Sequence, residues 1–125
     1  MIPVLFVALG GALGSVARYG VNVATMRAFG PGFPWGTLTV NVVGGLVMGL
    51  VAAALALKTQ APMELKLFLM TGVLGGFTTF SAFSLDAIAL WERGETGLAA
   101  AYVAASVGLA LGALVAGLAL GRALG

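Results

Sequence analysis

Leu67-Phe68-Leu69-Met70-Thr71-Gly72-Val73-Leu74-Gly75-Gly76-Phe77-Thr78-Thr79-Phe80-Ser81-Ala82-Phe83-Ser84-Leu85 carries no charge from end to end. Runs of about 17–25 predominantly apolar residues are what crossing a hydrocarbon core about 30 Å thick requires. Three further uncharged runs, 1–17, 28–57 and 96–121, flank it in a chain of 125 residues. Only 8% of those residues are charged and 61% are hydrophobic. A soluble domain carries roughly three times that charge density. The chain therefore reads as a polytopic membrane protein, and its length allows a single domain over 1–125. In lipid each unsatisfied backbone group costs several kcal/mol, so the spans must be helices and the fold class is all-α.

Loop signals set the boundaries. Gly30-Pro31-Gly32-Phe33-Pro34 is a turn that no helix crosses. Lys58-Thr59-Gln60-Ala61-Pro62 closes the second span, and Pro62 is suited to open the next helix. Glu92-Arg93-Gly94-Glu95 separates the third from the fourth. The expected spans are 3–26, 35–57, 63–91 and 97–121. The first run lacks the basic n-region of a signal peptide and is read as a membrane helix.

Glycine spacing is informative. Pairs four apart occur at Gly10/Gly14, Gly45/Gly49, Gly72/Gly76, Gly108/Gly112 and Gly117/Gly121. Such strips let helices approach closely in lipid, and close packing is the reading for every pair outside the third span. In the third span two adjacent glycines precede two β-branched threonines, with hydroxyls throughout. Gly costs about 1 kcal/mol against Ala inside a helix, and β-branched residues propagate helix less well. Hydroxyls nearby can satisfy freed backbone groups. The third helix is therefore expected to break mid-membrane, where transporters and channels place ion sites.

The missing residue types exclude whole classes of chemistry. With no His and no Cys, zinc, copper and haem sites built on them are impossible, as are Ser-His-Asp and Cys-His nucleophiles. A net charge of only +2 is too sparse for a nucleic-acid footprint. Four spans put both termini and the 58–66 loop on one side, with Lys58, Lys66 and Arg122. Arg27 and Arg93 lie on the other, and Arg18 leans towards it from inside the first span. Topology follows this bias over short loops, and here there is hardly any. Two readings stay open: dual insertion, giving an antiparallel homodimer, or one orientation set by a small residue of bias. Four helices make a thin bundle, so an aqueous path favours an interface with a second copy.

Several polar or aromatic residues inside the spans could handle an ion. Arg18 lies about a turn and a half from its helix end, which suits snorkelling or a vestibule cation that draws in anions. Asn41 is an amide in mid-span, either interhelical glue or a pore-lining donor. Tyr102 and Ser106, four apart, share one helical face. Phe80 and Phe83, flanked by Ser81 and Ser84, suit packing, but the positive edge of a ring can also stabilise a desolvated anion. Trp35 and Trp91 read as belt anchors at one interface, and Asp86 as a solvated end residue.

Gly10-Gly11-Ala12-Leu13-Gly14-Ser15-Val16-Ala17-Arg18-Tyr19, Gly36-Thr37-Leu38-Thr39-Val40-Asn41 and Gly75-Gly76-Phe77-Thr78-Thr79-Phe80-Ser81-Ala82-Phe83 together resemble the Fluc (CrcB) family of small fluoride channels. The resemblance covers all four spans. It implies a dual-topology homodimer in the microbial inner membrane, with two antiparallel pores, passive fluoride efflux and a central sodium ion. By position, Phe80 and Phe83 would present ring edges to fluoride, and Asn41 would be a vestibule donor. Carbonyls of Gly75 and Thr78 from both subunits would hold the sodium. Thr79 and Ser81 would lie beside the break, and Tyr102 and Ser106 would begin a polar track. One departure is Ala110, where the track's next hydroxyl is expected.

Stripping water from fluoride in a low-dielectric pore is tolerable only if donors and ring edges replace the hydration shell. The rival from another class is a small dual-topology proton-coupled multidrug exporter. That activity needs an embedded carboxylate, and no Asp or Glu falls in the first, second or fourth span. A purely structural subunit would not require Asn41, Thr78, Thr79 and Ser81 inside the membrane.

Overall fold

The computed structural model describes residues 2–57 and 61–125. Helix α1 runs Ile2–Phe29 and α2 Trp35–Leu57. A third path begins with α3, Met63–Lys66, passes through a π-helical stretch Leu67–Leu74 and ends its first half in α4, Gly75–Phe77. It resumes as α5, Ser81–Glu92, and α6 follows over Thr96–Leu124. Among the described residues, four stretches are long and apolar enough to cross a membrane: Ile2–Phe29, Trp35–Ala56, Met63–Glu92 and Thr96–Leu124. The first and last extend about a turn beyond the spans expected from sequence, because helix geometry continues past the apolar core into the interface. The expected Lys58-Thr59-Gln60 closure of α2 lies outside the described residues.

Helix ends follow local chemistry. Gly30 adopts φ +77° and its N–H reaches Met26 O at 2.8 Å, which stops α1. Gly94 adopts φ +81° after α5, with Gly94 N–H on Trp91 O at 3.0 Å and Glu95 N–H on Leu90 O at 3.0 Å. Those two bonds form a Schellman cap, whose left-handed residue favours glycine. Pro62 stands just before Met63 in extended geometry and accepts N–H bonds from Leu65 and Lys66 through its carbonyl.

The helices pack as two close pairs. α2 lies along α6, where Gly45 faces the Ala110 carbonyl, Gly49 the Leu114 carbonyl and Gly117 the Leu46 carbonyl. α1 lies along the π-helical stretch and α4, where Gly10 faces Phe68 and Gly72, and Gly14 faces Val73 and Phe77. Gly72 and Gly76 thus pack on α1 as tightly as the other strips. The Gly108/Gly112 pair corrects the expectation drawn from spacing, since both positions face open space in this chain. Few side chains are fully buried, among them Val40, Leu90 and Tyr102, while large apolar residues such as Val4, Val16, Leu111 and Val115 are exposed. An apolar exterior over a thin interior suits a chain whose solvent is lipid.

Candidate ion pathway

The site forms where the third path leaves helical geometry. Upstream, Gly75 N–H reaches Met70 O, five residues back, at the end of the π-helical stretch. π-Helical turns are uncommon and concentrate at functional sites. Thr78 then takes φ −90° and ψ 162°, which is extended backbone. Its N–H and its Oγ1–H both donate to Leu74 O at 3.0 Å, closing the last turn. Phe80 is already back in helical φ and ψ. Thr79 Oγ1 accepts from Ala82 N–H, three residues on, at 3.2 Å, as an N-capping hydroxyl does, and so steadies the start of α5.

Two side chains from other helices hold this segment. Asn41 Oδ1 accepts from Thr79 N–H at 2.8 Å while its Nδ2 donates to Thr79 O at 2.9 Å. The amide thereby replaces the partner strand that an extended residue would otherwise need. Its second N–H is free of this pairing. From the other side, Arg18 Nε donates to Gly76 O at 3.0 Å. Gly44 completes the seat, because a Cβ there would run into Thr78 Cγ2.

A groove of about 390 Å³ opens beside the segment, lined by Asn41, Thr78, Thr79, Phe80, Phe83 and Ser106, with Gly44, Val107, Ala110 and Leu114 among its apolar walls. Among the described residues, no charged side chain lines it. Phe80 is 78% exposed, and its ring centroid lies 5.6 Å from that of Phe83. Phe83 packs at 5.3 Å on Tyr102, and Tyr102 meets Phe33 edge-on at 5.4 Å. Ser106 Oγ is buried with no hydrogen-bond partner among the described residues. An unpaired buried hydroxyl costs about 1–3 kcal/mol, so this one is suited to a ligand or water that the groove would supply.

Most of the residues singled out from sequence meet here, though not all in one role. Ser81 is exposed and approaches Thr79 Oγ1 at 3.4 Å without lining the groove. Tyr102 is fully buried behind Phe83. Arg18 is half-buried on the α1 side, bonded to backbone. Gly75 and Thr78 bring carbonyls to the segment, and neither accepts a hydrogen bond from the described residues. Ala110 does line the groove, as an apolar wall.

Sequence reasoning missed Gly44, Thr37 and the true place of Asp86. Asp86 is not a freely solvated end residue: its Oδ2 accepts from Tyr102 O–H at 3.2 Å. It also lines a second cavity of about 320 Å³ with Asn22, Thr25 and Thr37. The signal that could have found it is spacing. Asp86 stands three residues after Phe83, so it shares a face of α5 with a ring already singled out.

A family profile described as "CrcB-like protein, Camphor Resistance (CrcB)" matches residues 5–118. A "Fluoride-specific ion channel FluC" of Rhizobium etli (strain CIAT 652) is 60% identical over 124 residues, covering 99% of each chain. The protein of that name from Agrobacterium fabrum is 57% identical over 122 residues, covering 98% of each. One from Cereibacter sphaeroides (strain ATCC 17029) is 63% identical over 117 residues, covering 92% of this chain and 90% of its own.

Proposed function

Because the chain belongs to the CrcB family, a family of ion channels and not of enzymes, we propose that it is a fluoride-selective channel giving passive efflux from the cytoplasm. The observation that carries this reading is the uncharged groove, where an exposed ring, an amide with a spare N–H and an unpartnered hydroxyl face one space. Those groups are neutral donors and positive ring edges, the replacements a dehydrated anion requires. Phe80, Phe83, Asn41, Thr79 and Ser106 line or bound the path, Tyr102 backs it, and Ser81 lies beside the interruption.

The interruption at Thr78 serves as a break in the third span at mid-membrane depth. The groove is open on one side, and a second copy closes it. That assembly is an antiparallel, dual-topology homodimer with two pores, in the inner membrane of its cell. Gly75 and Thr78 carbonyls from both subunits suit a sodium ion, since they are hard oxygen donors free of other bonds among the described residues. Bound there, the ion would neutralise carbonyl dipoles and tie the two copies together.

A proton-coupled multidrug exporter is not favoured, because Asp86, the one acidic residue of α5 before its end at Glu92, is engaged by Tyr102. Liposomes loaded with potassium fluoride and given a potassium ionophore separate the two. The channel should empty them with no proton gradient imposed. Fluoride movement that requires a proton gradient would refute passive conduction.

A further inference from the structure

Among the described residues, Arg18 is the one charged side chain that bonds the interrupted segment, and the contact is made by Nε rather than by a guanidinium tip. Gly10, Gly14 and Arg18 follow each other at four-residue steps, so they lie along one stripe of α1. The two glycines let α1 meet the third path backbone to backbone, and Gly76 returns the fit by abutting Gly11 and the Ser15 N–H. That approach delivers Arg18 onto Gly76 O. The carbonyl needs a donor, because Thr78 turns extended and the helical partner four residues on is lost. A cation beside the carbonyl end of a helical run is favourable as well.

We propose that Arg18 is a positioning residue: its Nε–H fixes the Gly76 carbonyl and, with Asn41 on Thr79, holds the backbone from Gly76 to Thr79 between α1 and α2. The proposal deepens the channel reading and rests on it. Gly76 lies between the two carbonyls that suit sodium, and Thr79 precedes Phe80. A released Gly76 carbonyl would let both carbonyls and the ring lose their directions. The charge of Arg18 is secondary in this role, which sets it apart from a vestibule cation.

Charge and donor can be exchanged separately. In Arg18→Gln the amide Nε2 stands as many bonds from Cα as the arginine Nε, so the donor stays and the charge goes. In Arg18→Lys the charge stays, a methylene occupies the Nε position and the donor moves one bond out. Fluoride efflux per incorporated protein should stay within about threefold of the unaltered chain in Arg18→Gln and fall at least about tenfold in Arg18→Lys. The carbonyl carbon shift of Gly76 in solid-state NMR should hold in the first variant and move in the second. The reverse order, with Lys preserving flux and Gln losing it, overturns the proposal. A dipolar contact between the Arg18 Nε and the Gly76 carbonyl carbon is also expected in the unaltered protein. Its absence overturns the proposal even if neither variant folds. Absence of fluoride flux from the unaltered protein would instead remove the channel reading, and the dipolar contact would still judge the bond.

Discussion

Phe80 and Phe83 stand close together in unlike surroundings. Phe80 is exposed to the groove, whereas Phe83 is half-buried and wedged between Phe80 and Tyr102. Replacing Phe80 by Ile should cut fluoride efflux and cost less thermal stability in detergent than Phe83→Ile, because the exposed Phe80 loses one ring contact where Phe83 loses two. Phe83→Ile should cut efflux and also lower stability by about 1 kcal/mol, the worth of an aromatic pair. Normal flux in both variants would mean that the rings only pack. Asn41 makes a different prediction, because it bonds both the N–H and the carbonyl of Thr79. Asn41→Ala should speed amide hydrogen exchange at Thr79 while leaving Ala82 protected by the Thr79 hydroxyl. The bonds lost are worth about 1–3 kcal/mol once a backbone group is left unpaired.

At the scale of the helix, glycines that look alike in sequence have unlike neighbours. A Cβ at Gly14 would strike the Val73 carbonyl and the Phe77 N–H, whereas one at Gly108 would meet nothing within 4 Å. Gly14→Ala should therefore destabilise by about 1–3 kcal/mol through overpacking. Gly108→Ala should be neutral or stabilising by up to about 1 kcal/mol, as helix propensity dictates. Thermal unfolding of the two variants side by side measures the difference. The four spans were legible because lipid demands long apolar runs and charges cannot lie inside them unpartnered. The Gly75-Gly76 pair lies just before residues 78–80, which stand outside helix and include the two threonines. What holds that region was not legible. Arg18 and Gly76 are 58 residues apart, Asn41 and Thr79 are 38, and such pairings exist only once helices have packed. The π-helical stretch was likewise hidden, since Leu67–Leu74 has the composition of any apolar helix.

At the scale of the whole molecule the proposed assembly rests on a near balance of charge. The chain's 6 basic residues give topology little to act on, and the groove beside Phe80 is open on one side. Dual insertion has a direct assay, because the chain has no Cys of its own. Gly32→Cys, in the turn between α1 and α2 where a side chain meets nothing within 4 Å, should label from both faces of the membrane. Labelling from one face alone would end the antiparallel reading. In the proposed channel these neutral groups conduct fluoride and discriminate against larger halides. Proteoliposomes holding equal fluoride and chloride, followed with two ion-selective electrodes, test it most directly. Fluoride should be lost rapidly with chloride almost wholly retained. Parallel loss of both ions, or retention of fluoride by correctly inserted protein, would contradict it.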